Sequence, residues 1–404
     1  MRGVSNDGPG VLQPLRVAFA TDRLLPSHDT DTEQLCQTAA AMARAGAQVT
    51  FLAPDRLAGP HRTGESIAGH YRLAASMEWR FLRAPAPSFR WLEKSAHAVR
   101  TAAVAGHCGA HLLYSRNLPI LLWVLRFRSL PVAWDHYCCW PERTGALRPL
   151  LRWMGGHPRF LGAALHSEFA ADCYRRLGWP EDRLLVAHNG HDPAVFEPRL
   201  SREEARQALG LTPAGGPWAV YCGHLQQGKG VGQVLELAER CPGVHFWLVG
   251  SLGQGPVEDA AARLANVTVV PWQPTRAVAL FLRAADLLII PPTAGPLRDG
   301  RTVLPMKTFL YLGAGRPILA PDLPDLREVL VHGENAWLVP PDRLDAAATA
   351  LDRLLADREL AGRLGSEAER AGREHTWDRR AEKVLTFLSQ RIRLGSHTRL
   401  TERG

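Results

Sequence analysis

Short apolar runs alternate with segments of helical periodicity, and the pattern runs through the chain twice. In the first half the runs predict strands over Leu15–Ala20, Gln48–Ala53, His111–Tyr114, Pro131–Trp134, Leu161–His166 and Leu184–Ala187. Thr30-Asp31-Thr32-Glu33 reads as a capping box that opens a helix to Arg44, stopped by Gly46. The second half predicts strands over Trp218–Cys222, Val244–Val249, Val267–Val270, Leu287–Ile290, Pro317–Ala320 and Ala336–Val339, and almost continuous helix from Leu344 to Arg393. Between the halves, a short helix at Arg202–Leu209 and the run Pro213-Ala214-Gly215-Gly216-Pro217 read as a linker. Strands alternating with helices mean parallel sheets joined by crossovers. The expected fold is α/β with two doubly wound, Rossmann-like domains facing a cleft at the carboxyl ends of their strands, the usual ligand position in such sheets.

Composition adds bounds. At 404 residues the chain exceeds one ordinary core, and its 46% hydrophobic and 22% charged content fits a globular protein. The seven cysteines are scattered without a CxxC pair, so neither a zinc site nor a disulfide framework is signalled, and a reducing cytoplasm is expected. Met1 to Gln13 reads as a loose tail without the order of a signal peptide, and no apolar run is long enough to span a bilayer.

The net charge of +8 is concentrated. From His70 to Leu130, nine Arg/Lys residues face two acids and are interleaved with Trp79, Phe81, Phe89, Trp91 and Trp123. Two readings stand: a surface attracted to anionic lipid, or arginines solvating elements whose aromatics enter the core. No recognition motif points to nucleic acid.

Only four of the 48 Lys and Arg residues are lysine, and two of these close Gly- or Pro-marked turns. Lys229 ends Gly223-His224-Leu225-Gln226-Gln227-Gly228-Lys229-Gly230, after a predicted strand and before a predicted helix. Exposed amides and a positive helix end there favour an anion, to which Lys229 and His224 add donors. Lys307 follows Leu304-Pro305-Met306 in a predicted first helical turn, where a cation opposes the helix dipole unless an anion binds. Two such turns imply one diphosphate site.

The segments Tyr221 to Gly230, Trp247-Leu248-Val249-Gly250, Ala285 to Pro291, Pro305 to Pro317, Asp322 to Leu330, Gly333-Glu334-Asn335-Ala336 and Thr376 to Ala381 together resemble the GT-B glycosyltransferases of family 4. His166-Ser167-Glu168-Phe169 and His188 to Phe196 extend the resemblance into the first half. It implies an acceptor-side domain over 14–198, a nucleotide-sugar domain over 214–378, and a terminal helix, 379–404, returning to the first domain. The implied activity is metal-independent, retaining transfer from a nucleotide diphosphate sugar, without a cofactor. Lys229 would hold the diphosphate, with His224 in the place of the family's Arg and Gly223 and Gly228 giving close backbone approach. Pro305, Met306 and Lys307 would cradle the distal phosphate. Pro271, Trp272 and Gln273 lie where the base is held, Trp272 either stacking on it or packing at a strand end.

In the first domain, His136 would face the reacting sugar beside Asp135, and Asp29, Thr30, Arg116 and Asp135 are the acceptor-side candidates. Leu310 and Thr302 stand where the family has its paired acids, with Asp299 and Tyr311 as compensating ribose contacts. The expected partners are a nucleotide-sugar donor and a sugar or glycolipid acceptor; the expected location is the cytoplasm, with peripheral attachment to an anionic membrane surface as the reading that the basic aromatic stretch adds. The competing readings are a soluble small-molecule glycosyltransferase and a nucleotide-sugar-binding homologue without turnover.

Overall fold

The structure, a computed structural model, describes residues 14–56, 62–84, 90–211, 216–295 and 304–401. Seven strands, β1 (Arg16–Ala20), β2 (Gln48–Arg56), β3 (Glu78–Ala84), β4 (Leu112–Ser115), β5 (Val132–His136), β6 (Phe160–Leu165) and β7 (Leu184–Val186), form a sheet of order β3-β2-β1-β4-β5-β6-β7. Six more, β8 (Trp218–Cys222), β9 (His245–Ser251), β10 (Val267–Pro271), β11 (Leu287–Ile289), β12 (Ile318–Pro321) and β13 (Trp337–Val339), form a parallel sheet of order β10-β9-β8-β11-β12-β13. The helices of the first half are α1 (Thr30–Arg44), α2 (Gly64–Tyr71), α3 (Arg90–Ala105), α4 (Leu118–Phe127), α5 (Trp140–Arg143), α6 (Arg148–Gly156), α7 (Glu168–Leu177) and α8 (Arg202–Ala208). Those of the second are α9 (Val231–Arg240), α10 (Pro256–Ala261), α11 (Thr275–Ala284), α12 (Met306–Ala314), α13 (Leu344–Ala356), α14 (Arg358–Gly372) and α15 (Trp377–Thr401). The chain packs as two compact units, one of residues up to Asp135 with Met154–Ala164 and Ala381 onward, the other of His136–Trp153 and Leu165–Arg380.

In the first unit the β3 strand was hidden in the basic aromatic stretch. Its alternation puts Trp79 against Phe51, with ring centroids 4.7 Å apart, while Glu78 binds Arg80 at 2.7 Å and Thr50 at 2.8 Å. Trp79 is therefore a packing residue, as the second reading of that stretch expects. The capping box does not form. Asp29 is the N-cap of α1 and makes no side-chain cap bond, while the Thr32 hydroxyl donates back to the Asp29 carbonyl at 2.6 Å. Ala381, Val384 and Leu388 of α15 are fully buried, and Arg391 Nε donates to the Leu161 carbonyl at 3.1 Å, so the terminal helix docks within this unit.

In the second unit β8 is buried on both faces, as a central parallel strand must be. Trp218, Val220 and Cys222 enter one core cluster and Ala219 and Tyr221 the other. The predicted continuous tail is three helices. Asp357 caps the second by accepting from the Leu360 amide at 2.9 Å, and the break before α15 is filled by His191, whose amide donates to the His375 carbonyl at 3.1 Å. Glu328 ties this unit together by accepting from the amides of Glu168 (2.7 Å) and Phe169 (3.0 Å) and from His188 Nε2 (2.8 Å). Burial alone would raise its carboxyl, but the bonds from His188 and the two amides carry it below the usual carboxylate range.

One cysteine expectation is corrected. Cys139 and Cys173 are joined in a disulfide, 34 positions apart. The pairing arises because α5 and α7 pack together, which spacing in the sequence does not reveal.

Candidate functional site

The second sheet reverses its order between β8 and β11, and the turn after β8 lies at that switch point. Gly223 has φ +132° and donates its amide to the Val249 carbonyl at 2.9 Å. The conformation requires glycine, and a Cβ on it would lie 3.0 Å from Lys307 Nζ and 3.3 Å from the Tyr221 hydroxyl, crowding the ammonium. Gly230, at φ +76°, would clash with Thr293 at 2.5 Å if it carried a Cβ. Between them Gln227–Lys229 forms a 3-10 turn that leaves Gly228 and Lys229 exposed ahead of α9.

Lys307 arrives from the other predicted turn. Pro305 is the N-cap of α12 and provides no side-chain cap, so the first-turn amides around Met306 and Lys307 face out of the helix end. The half-buried Lys307 places Nζ 3.6 Å from the centre of the Tyr221 ring, a cation–π contact. Desolvation lowers its ammonium to about 7, with the Cys222 sulfur opposing the shift and, by less, the Lys229 charge adding to it. Lys307 thus senses the charge of the other lysine singled out from the sequence. Among the described residues neither forms an ion pair with a carboxylate. Two uncompensated cations and a helix N-terminus at one switch point form a site ready for a multiply charged anion.

The neighbouring candidates divide. His224 is half-buried in the same turn and its carbonyl accepts from the Tyr221 hydroxyl at 3.3 Å. Trp272 donates its amide to the Ser251 carbonyl at 2.7 Å, where β10 shifts register at Pro271; Pro271 is exposed, Trp272 and Gln273 half-buried. Leu310 is half-buried and packs against the core cluster that contains Phe309. Tyr311 is not a ribose contact. It is fully buried, accepting from the Cys222 amide at 2.8 Å and donating to the Ile289 carbonyl at 3.3 Å, so its hydroxyl braces β8 to β11. Asp299 and Thr302 lie outside the described residues.

In the first unit Arg116, half-buried after β4, reaches the Gln34 side-chain carbonyl and the wholly buried Asp135 carboxylate at 3.5 Å. Its own carbonyl accepts from Trp134 Nε1 at 3.1 Å. Asp29 and Thr30 are exposed at the start of α1. Sequence reasoning missed three members of this region: Gln34, Arg23 paired with Asp31 at 2.8 Å, and Lys94 paired with Asp22 at 2.9 Å. The available signal was the position of Asp22-Arg23 just past a strand end. His97 Nε2 lies 2.7 Å from the Thr21 carbonyl, and burial pushes its imidazole below the usual range.

His136 closes β5 and belongs to the second unit. It is buried, with Trp140 edge-on at 4.8 Å and Tyr174 edge-on at 5.7 Å.

This architecture, two parallel doubly wound sheets and a returning terminal helix, is the GT-B fold, shared with solved glycosyltransferases. Anabaena Alr3699/HepE, solved with UDP and glucose, superposes with a TM-score of 0.70 at 15% identity, over 93% of this chain and 99% of that one. Sucrose-phosphate synthase from Thermosynechococcus elongatus gives a TM-score of 0.73 at 18% identity, over 93% of this chain and 98% of that one. Within that class, residues 216–357, which carry the second sheet, match the family model described as Glycosyl transferases group 1. The D-inositol 3-phosphate glycosyltransferase of Nocardia farcinica is 29% identical over 238 residues, 55% of this chain and 51% of that protein. The chain therefore spans about half the length of the curated relatives it matches.

Proposed function

We propose that the chain transfers a sugar, with retention of anomeric configuration, from a nucleoside diphosphate sugar to a hydroxyl of a glycolipid or surface-polysaccharide intermediate. The observation that carries this reading is the convergence of Lys229 and Lys307, unpaired among the described residues, on one switch point. As the glycosidic bond to the diphosphate breaks, negative charge builds on the leaving oxygen while the anomeric carbon becomes oxocarbenium-like. Fixed cations and helix-end amides lower that barrier because they stabilise the leaving charge without reorganising. A phosphate oxygen takes the acceptor proton on the same face. His136 and Asp135 then serve the sugar, and Arg116 with Asp29 and Thr30 the acceptor. The solved relative with UDP and glucose supports the donor class, and the relatives named for D-inositol 3-phosphate put a phosphorylated cyclitol among the acceptors to try.

One observation favours a membrane-borne acceptor over a free small molecule. Phe127 on α4 is 53% exposed, stacks on Trp123 at 4.7 Å and lies under the Arg126 guanidinium at 5.1 Å. An exposed phenylalanine stacked on a half-buried tryptophan beside an arginine suits a lipid headgroup zone. Among the described residues no helix is long and apolar enough to cross a membrane.

The test is transfer of radiolabel from UDP-, GDP- or dTDP-sugars to lipid-linked and soluble acceptors, with and without anionic vesicles. Labelled product that disappears with Lys229→Ala supports the reading. Donor binding without product or nucleotide release from any donor would favour a homologue that binds and does not turn over. Vesicle sedimentation that Phe127→Ala does not weaken would remove the membrane component.

A further inference from the structure

The two rings that enclose His136 come from different helices. Trp140 is the first residue of α5, and Tyr174 lies in α7, fully buried, with its hydroxyl donating to the Cys138 carbonyl at 3.1 Å. Each ring has a half-cystine as its neighbour in sequence: Cys139, the N-cap of α5, precedes Trp140, and Cys173 precedes Tyr174. The disulfide therefore staples together the two elements that wall the imidazole. α5 has only four residues, and its N-cap makes no side-chain cap bond. So short a helix does not hold its shape unaided.

The surroundings suit reversible sulfur chemistry. Arg176 Nη2 lies 3.4 Å from Cys173 Sγ and also pairs with Glu142 of α5 at 2.5 Å. Arg143 Nη1 lies 3.0 Å from Sγ of Cys138, a buried free thiol. A guanidinium beside the Cys173 sulfur suits the thiolate that is released when a disulfide opens by exchange.

We propose that Cys139 and Cys173 are a thiol–disulfide pair whose state sets the order of the aromatic wall around His136. Oxidation by a peroxide forms one S–S bond: the two thiols give up two protons and two electrons, the O–O bond breaks, and two waters leave when the peroxide is hydrogen peroxide. A dithiol reverses the step and is itself oxidised to its disulfide. The reduced protein keeps its fold but loosens α5. The link to turnover rests on the proposed role of His136, while the staple itself does not.

The experiment compares wild-type protein treated with hydrogen peroxide against protein treated with dithiothreitol. Differential alkylation and peptide mapping should find a Cys139–Cys173 cross-linked peptide in the first sample and two alkylated thiols in the second. Hydrogen exchange over residues 136–147 should quicken about tenfold on reduction, with β8 to β12 unchanged. Cys173→Ser should reproduce the reduced pattern; if that variant does not fold, chemical reduction of the wild type still decides. Absence of the cross-linked peptide, or identical exchange over 136–147 in both states, overturns the proposal. Faster exchange with unchanged sugar transfer supports the staple and removes His136 from the proposed reaction. Faster exchange with slower transfer supports both.

Discussion

The strand ends of both sheets carry cations and use them differently. After β1 and β4, Lys94 is paired with Asp22, Arg23 with Asp31 and Arg116 with Asp135, so each cation there has a carboxylate. After β8 and at the start of α12, Lys229 and Lys307 have none among the described residues, and one is half-buried on an aromatic face. Paired charges present fixed hydrogen-bonding groups at little net charge, which suits recognition of hydroxyls. Unpaired, mutually repelling cations leave an electrostatic cost that only an anion relieves. On the proposed reading, the second sheet is the diphosphate side and the first the acceptor side.

The sharpest way to break the contrast is to remove a cation from the second sheet. Lys229→Ala should weaken nucleoside diphosphate binding by ten- to a hundredfold, the equivalent of about 1.5–3 kcal/mol for a charge-assisted bond, read by calorimetry. An unchanged affinity would mean that the exposed lysine is solvated surface.

Lys307 predicts a pH signature. A diphosphate prefers the charged ammonium, whose value is pushed down to about 7 in the unliganded protein. Affinity should fall as pH rises through that value, with proton uptake on binding, and Lys307→Met should bind weakly and flatten this component. The stability linkage has its own sign: the unfolded chain holds this proton up to the ordinary lysine value, so Lys307 makes stability rise with pH between about 7 and 10.5. A wild-type affinity independent of pH from 6 to 9, on the order of the range bracketing that value, would contradict the assignment.

Leu310→Glu sharpens the donor side. Supplying a carboxylate where Leu310 now packs should tighten ribonucleotides by about tenfold and leave a 2′,3′-dideoxynucleotide unchanged, measured as paired dissociation constants. Equal effects on both sugars would remove the ribose reading of this position.

Glu328 tests the scaffold with a smaller effect. Glu328→Gln should lower unfolding free energy by about 1–3 kcal/mol in urea, since His188 and two amides lose a charged acceptor. Because the folded carboxyl lies below its ordinary 4.5, the stability it adds is present above that value and lost as pH falls through the folded value. The variant should therefore lose part of the wild type's acid sensitivity. An identical stability–pH profile in both proteins would contradict this.

The two sheets were also unequally legible. β8, the glycines around Lys229, and Lys307 in the first turn of α12 were readable because each is a local pattern: a buried strand, a turn that needs positive φ, a cation where the helix dipole opposes it. β3 was not, since its alternating face is crowded by Arg80, Arg83 and Glu78 and reads as a solvated stretch. Gln34 beside Arg116, the Tyr311 hydroxyl bracing β8 to β11, and the Cys139–Cys173 pair all join residues 22 to 89 positions apart. Such pairings are properties of the folded chain that local patterns do not encode.

The central claim, that the switch point of the second sheet holds a nucleoside diphosphate, is tested most directly by titrating the wild type with UDP, GDP, dTDP and ADP at pH near 6.5, about where Lys307 is largely charged. The account predicts saturable binding of one base over the others and markedly weaker binding of the matching monophosphate. Failure of all four to bind, or equal affinity for diphosphate and monophosphate, would contradict it.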